Sequence, residues 1–520
     1  MKIFENAEFI SCGEDNQFFN FLIEDKGKII FTGNNIPQEY VNCKKINLQG
    51  KCVIPAFGDT HMHFTSFCQF YSGLDCRKAN DFESLMDLIQ NYIKDHPYEK
   101  TIVGFGCCAY LLKENKIPLR LDLDRFTSQP LLLVKYDGHA AVANTAFIKK
   151  MPSSIRKHKS FIEDTGEFLQ DAFYKVIDYI TRSISIIQVF NNIMKGADYL
   201  SQKGISLVHT AEGIGFPLDL DIDLMRIAAL GLNQKFRIYF QTMDVKKVVK
   251  RKLPCIGGCF ATALDGCFGS QDAALKNPYT NNQSNNGVLF YPQEEVTKFV
   301  KEAHKQNLQI SLHAIGDAAI EQALNAYEEA LSEIPKKNHR HIIIHGDMIN
   351  EKLIERAAKL EICIAPQPPF LYWKEEPMAY LKSILGDRAD NLMPLKTMLN
   401  AGITIASGSD APCTIPDPIF GIYAACNHRN SKESLSPLEA LKMHTLMCSK
   451  LSFDESERGS LEVGKLADFV VLDKNILKIP AQEIKNIQIQ EVYFKAEKYN
   501  SLKNGIFPFM TNMLKSLNLF

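Results

Sequence analysis

The sequence predicts an α/β protein: a (β/α)8 TIM barrel carrying a small β-sandwich domain built from both chain termini. Two patterns lead there. Short β-branched or apolar runs alternate with amphipathic helical stretches through the middle of the chain, as in a parallel sheet with crossover helices. Both ends are instead β-rich, with turn residues between short strands. A chain of 520 residues, 46% hydrophobic and 23% charged, is ordinary globular composition and too long for one small core.

At the start, Phe19–Ile23, the turn Asp25-Lys26-Gly27 and Lys28–Phe31 read as a hairpin. Far away, Phe469–Leu472 and Ile489–Phe494 carry the same signal. Residues 1–55 and 457–520 are therefore expected to meet in one β-domain, leaving 56–456 for the barrel. The first barrel strand is the apolar run from Cys52 to Asp59, which leads directly into His61-Met62-His63. Residues 64–200 exceed one βα unit and predict an insertion. Further strands are expected at Ile205–His209, Phe236–Phe240, Gln309–His313, His341–His345, Ile362–Pro366 and Thr404–Ser407. Apolar spacing near 3.6 predicts helices at Pro292–Gln306, Ala318–Glu333 and Glu351–Lys359.

Side chains at i and i+2 of a strand share a face, so a strand that continues to His63 presents His61 and His63 side by side. A lone H-x-H is usually a surface turn, and a lone histidine at a strand end is usually a hydrogen-bonding residue. Here the pattern recurs. His313 and His345 end two later strands, and Asp410 follows a third. Imidazole and carboxylate groups gathered at C-terminal strand ends argue for a divalent metal site.

Other function classes are disfavoured. Lys+Arg 59 against Asp+Glu 60 gives a net charge of -1 without long charged blocks, so neither nucleic acid nor an anionic membrane is an expected partner. No apolar stretch is long enough to span a bilayer, and the first residues lack a signal-peptide pattern. The 14 cysteines are dispersed, with Cys255 and Cys259 unmatched by a second pair at zinc-ribbon spacing. They read as small buried hydrophobes in a reducing cytoplasm. Gly408-Ser409-Asp410 lacks the frame of a serine nucleophile elbow.

The segments Asp59–His63, Leu312–Ile320, His341–His345 and Gly408–Asp410 resemble the amidohydrolase superfamily, and more narrowly its amidohydrolase-3 branch of D-aminoacylases and N-substituted formamide deformylases. Asp137–Ala140 with Asn144, Asp265-Gly266 with Ala273-Ala274, and Gly464–Val470 match as well. The resemblance implies a metal-dependent hydrolase holding one or two Zn²⁺ ions, with His61, His63, His313 and His345 as ligands. It implies attack of metal-bound hydroxide on an amide, N-acyl or formamide C–N bond, with Asp410 beside the metal as general base and acid. His139 then stabilises the oxyanion or holds a polar substrate group, unless it is a packing histidine.

One position departs from the branch. Four residues before Asp265-Gly266, many members carry a lysine taken to be carboxylated and metal-bridging; here Ala261 stands there. Glu212 at the end of the next strand could bridge instead, Lys135 could itself be modified, or the site could be mononuclear. The alternatives to an amide hydrolase are a mononuclear deaminase of the same fold and a catalytically silent binding homologue. The expected partner is a small-molecule substrate. Self-association into a homo-oligomer through helices or the terminal domain is open.

Overall fold

Seven parallel strands follow one another around the barrel: β1 (Phe57–Met62), β2 (Ile205–Glu212), β3 (Lys235–Phe240), β4 (Cys255–Ala263), β5 (Gln309–Ala314), β6 (Ile342–His345) and β7 (Cys363–Ala365). The computed structural model describes residues 1–214, 216–501, 509–511 and 514. Residues 403–410 fill the eighth position. On one side the Ile364 and Gly408 amides donate to Thr404 and Pro366 carbonyls at 3.1 and 3.0 Å. On the other the Thr60 and Asp410 amides donate to Ser407 and His61 carbonyls at 2.9 and 2.8 Å. The ring is closed. Its strands are buried on both faces, which is why they read as near-continuous apolar runs rather than alternating ones.

The predicted helices stand at Gln293–Lys305, Asp317–Glu333 and Glu351–Lys359. The last is capped by Asn350, whose side chain accepts the Leu353 amide at 3.2 Å. Asp317 is the first residue of its helix, and its side chain accepts the amide of Lys276 from a neighbouring loop at 2.9 Å.

Strand β4 was not among the strands expected from sequence. Gly257 and Gly258 weaken its signal and also explain its shape. Both have left-handed φ, +109° and +123°, and a Cβ on Gly257 would lie 1.9 Å from the Ser311 carbonyl oxygen. The ladder to β5 pairs Gly258 with Leu312 and then skips to Ala263 with His313. Residues 259–262 thus form a bulge at the barrel rim.

The termini do meet. Phe469–Leu472 lies antiparallel to Lys44–Pro55, pairing Phe469 with Pro55 through to Leu472 with Cys52. Together with Lys2–Ile10, Phe18–Phe19, Phe21–Asp25, Lys28–Gly33, Ile489–Phe494 and Glu497–Lys498 they form one hydrogen-bonded sheet. Phe4, Phe469 and Tyr493 pack ring to ring in its core. The remainder of the expected terminal domain, 502–508, 512–513 and 515–520, lies outside the described residues.

Between β1 and β2 the chain builds a second sheet, ordered Phe161–Ile162, Glu167–Leu169, Ala140–Ala143, Leu131–Lys135, Ile102–Cys107, Leu74–Asp75. It has apolar clusters of its own around Phe168 and Leu131. No helix among the described residues is long and apolar enough to cross a membrane.

Gly257→Ala forces a side chain into the β5 backbone at a left-handed φ, so it is expected to destabilise the protein by about 1–3 kcal/mol. Thermal melting checks this; an unchanged melting temperature contradicts the packing described.

Candidate metal centre

Strand ends bring six donor side chains to the barrel mouth. His61 lies near the end of β1 and His63 just beyond it, its amide held by the Ala411 carbonyl at 2.8 Å. His313 comes from β5, His345 from β6, Asp410 from the closing segment, and Cys259 from the β4 bulge. All six are buried. The Cys259 Sγ lies 3.3 Å from both His61 Nε2 and His313 Nδ1, and 3.9 Å from His345 Nε2. Asp410 Oδ1 lies 3.1 Å from His61 Nε2 and 3.4 Å from His63 Nε2, yet accepts no hydrogen bond from either. Three mutually close triads result: His61–His63–Cys259, Cys259–His313–His345 and His61–His345–Asp410.

Neighbouring groups orient the rings. Gln367 Nε2 donates to the Ala365 carbonyl at 2.7 Å, which aims its Oε1 at His345 Nδ1, 2.6 Å away. His345 Nδ1 therefore carries the hydrogen, and Nε2 turns its lone pair to the cluster. His313 Nε2 likewise meets the Gly266 carbonyl at 3.3 Å, leaving Nδ1 for the cluster. Asp59 ties two ligand segments together by accepting the His61 and Ser409 amides at 3.2 and 3.0 Å. Asp265 accepts the amides of Ala274, Ile315 and Gly316 at 2.9, 3.0 and 2.8 Å, fixing the turn after His313. His345 and Asp410 have left-handed φ of +67° and +55°. Such backbone costs about 1–3 kcal/mol per residue and persists only where its surroundings enforce it.

Burial sets the charges. It lowers the pKa values of His61 and His313 and takes His345 down to about 4. Burial alone would raise the Asp410 carboxyl, but His61 and His63 hold it well below the usual carboxylate range. Three neutral imidazoles and a carboxylate are good cation ligands at neutral pH. A cation suits this donor set: the buried Asp410 Oδ1 and His63 Nδ1 have no hydrogen-bond partner, and the inward nitrogens converge without donating to that oxygen.

Two sequence expectations change here. Ala261 lies inside the bulge, so counting four back from Asp265 passes over the residue that reaches the cluster. That residue is Cys259, read from the sequence as a buried hydrophobe; its place at the end of the apolar strand that precedes the bulge was the available signal. Glu212, the expected bridge, is not brought to the cluster. Its carboxylate turns to Thr65, accepting the amide at 3.1 Å as well as the hydroxyl, and to the Thr210 hydroxyl. Lys135 also stays outside, paired with Asp137 at 3.1 Å. His139 comes from the inserted sheet and faces the same cleft, its Nδ1 2.6 Å from the Asp137 carbonyl. His209 is buried in the barrel interior with neither ring nitrogen partnered, and burial takes its pKa down to about 3.

The cleft over these residues encloses about 1650 Å³, its open mouth included. The inserted sheet and the segments after it give one wall, with Phe105, Phe173 and Tyr174, and the segment after β7 gives another, with Phe370 and Trp373.

Fold and site together define a parallel barrel with a candidate metal centre at its strand ends, and comparison with known proteins places it. Residues 44–497 match the Amidohydrolase family, and the chain belongs to that family. It is 26% identical to the putative amidohydrolase YtcJ of Bacillus subtilis over 486 residues, covering 87% of this chain and 90% of that one. It is 22% identical to the N-substituted formamide deformylase of Arthrobacter pascens over 501 residues, 86% and 88% of the two chains. Among solved structures, an uncharacterized metal-dependent hydrolase from Pyrococcus furiosus superposes with a TM-score of 0.74 at 24% identity, over 92% of this chain and all (100%) of that one. The zinc complex of atrazine chlorohydrolase TrzN from Arthrobacter aurescens TC1 gives 0.54 at 13% identity, over 99% and 100%.

Burial, followed by the nearby Asp221, pushes the Glu212 carboxyl up to about 8 from 4.5. Between those values the folded chain holds more proton at this site than the unfolded one, so stability falls as pH rises through the window. Glu212→Gln removes that loss. Its melting temperature relative to the unsubstituted protein is expected to rise by about 2 °C or more between pH 5 and 8.5, read by calorimetry.

Proposed function

We propose that the protein is a metal-dependent hydrolase of a non-peptide C–N bond: an amide, N-acyl or formamide group on a small molecule. The observation that carries this reading is the convergence of two ligand triads on one thiol, His61–His63–Cys259 and Cys259–His313–His345. Two triads sharing Cys259 favour a pair of divalent cations, with zinc the choice for imidazole and thiolate donors, over the single ion of a deaminase. The formamide deformylase named above supports the bond class.

Bound there, the cations supply Lewis acidity and lower the pKa of water toward ~7. The chain's own groups do the rest. Asp410 Oδ1 is ionised and free of hydrogen bonds, so it takes the proton of the attacking water and returns it to the leaving nitrogen. His139 donates its Nδ1 hydrogen to the Asp137 carbonyl, which leaves Nε2 as an acceptor for a substrate N–H. In this orientation it suits holding a polar substrate group. The apolar walls exclude water around the reacting carbonyl.

The cytoplasmic setting is part of the same proposal. All 14 cysteines are free, which supports a reducing compartment.

Metal analysis of the full chain is expected to give two divalent ions per chain, falling to one or fewer in Cys259→Ala. Asp410→Asn is expected to keep bound metal while lowering kcat by about 10²–10⁴ on an N-acyl amino acid or formamide. A fully loaded protein that hydrolyses neither compound class overturns the bond assignment; one ion per chain with ammonia release from an aminated heterocycle favours the deaminase.

A further inference from the structure

Beside the metal centre the cleft holds carboxylates that the hydrolytic reading does not use. Asp347 stands two residues after His345, is 6% exposed and lines the cleft, and its Oδ1 has no hydrogen-bond partner. Glu376 is 7% exposed, lines the same cleft, and receives a hydrogen bond from the Tyr136 hydroxyl at 3.3 Å. The other charges facing this space are accounted for. Asp137 pairs with Lys135 at 3.1 Å and Asp390 with Lys382 at 3.0 Å. Glu212 is taken by Thr65 and Thr210, and Arg429 is exposed with its guanidinium 5.7 Å from the Tyr372 ring centre. Asp347 and Glu376 form no ion pair among the described residues.

Aromatic rings run between Glu376 and the metal-site His345 along the same cleft. Trp373 stacks on Phe370 at 4.7 Å and meets Tyr136 edge-on at 5.2 Å, and Phe370 stacks on the His345 ring at 6.1 Å. A continuous aromatic surface therefore runs from a metal-site histidine to the residue that contacts Glu376. Buried carboxylates are unfavourable unless paired, and aromatic faces attract cations through their quadrupoles. An organic cation answers both features at once; a neutral donor hydrogen-bonds the acids but leaves their charge unpaired, and an anion is repelled.

We propose that Asp347, Glu376 and the Trp373 ring form a cation subsite, so that the substrate is an amide whose substituent ends in an ammonium group. The amide part of this statement rests on the proposed hydrolysis; the cation part rests only on the patch.

Trp373 is the chain's one tryptophan, so its fluorescence reports the patch directly. The probes are choline and its uncharged isostere 3,3-dimethylbutan-1-ol, titrated into zinc-loaded full-length protein. Choline is expected to give a saturable change with a Kd at least about tenfold lower than the isostere. Asp347→Asn and Glu376→Gln, made separately, are each expected to reduce that ratio to less than about threefold. Both variants replace a buried acid that lacks an ion pair with its neutral isostere and should melt no lower than the parent, which separates lost recognition from unfolding. Equal Kd values for the two probes, no response to either, or a ratio surviving both substitutions overturns the subsite. Hydrolysis of a neutral formamide without cation preference fails the subsite alone. Choline selectivity in a protein that cleaves no amide fails the hydrolytic reading alone.

Discussion

The barrel mouth is organised around one constraint: donor atoms of opposite histidines, a thiol and a carboxylate are held within contact of one another, out of water. The inward imidazole nitrogens and Asp410 Oδ1 approach to 3.1 and 3.4 Å without a hydrogen bond forming. Burial disfavours a proton on the rings and so removes the easiest way to relieve the crowding. A divalent cation relieves it at once, because it meets every lone pair with positive charge. The supporting structure follows from this need. Asp59 clamps the two edges of the barrel seam, Gln367 fixes the His345 tautomer, and Asp265 pins the turn behind His313. The left-handed backbone at His345 and Asp410 is held by the same packing.

Much of this was legible in the sequence because of where parallel sheets put their side chains. A strand buried on both faces is mostly apolar, so a histidine or carboxylate at its C-terminal end marks the functional edge. That logic finds His61, His63, His313, His345 and Asp410, and it places the helices Gln293–Lys305, Asp317–Glu333 and Glu351–Lys359 to within one residue at each end. It finds the meeting of the termini too, since Phe469–Leu472 pairs with the Cys52–Pro55 end of Lys44–Pro55 through short apolar runs that both segments display. Glu212 was misplaced for the same reason that others were found. It is a rim residue by position, but the Thr65 amide and two threonine hydroxyls capture its carboxylate, and those partners are distant or invisible in a linear reading.

Strand β4 was illegible because its information lies in backbone conformation. A Gly-Gly pair reads as a strand breaker, yet here it permits the close approach to Ser311 and starts the bulge. The bulge changes the count between Asp265 and the metal cluster, so spacing from the Asp-Gly motif points to Ala261 while the side chain that arrives is Cys259. Cys259 would hold the cations through its one sulfur, and so short a side chain reaches the cluster only from a backbone that comes close, an approach the bulge supplies. The departure from the family's lysine and the irregular strand are one feature seen at two levels.

The inserted sheet and the barrel divide the work differently from what the barrel alone would suggest. Ligands come from strand ends, whose positions are locked by the parallel ladder and tolerate little change. Cleft walls come from Phe105, the Asp137–His139 turn and the helix residues Phe173 and Tyr174 on one side, and from the segment following β7 on the other. The inserted sheet has a cap of its own, with Asn144 accepting the Leu131 and Phe147 amides at 3.0 Å, and Tyr136 joins it to Trp373 of the other wall. The wall after β7 also touches the ligands, through Gln367 on His345 Nδ1 and Phe370 on the same ring. Asp347 shares a strand end with His345, so a charge placed there is positioned by the same backbone that positions the metal, and recognition and chemistry are set at a fixed distance from each other.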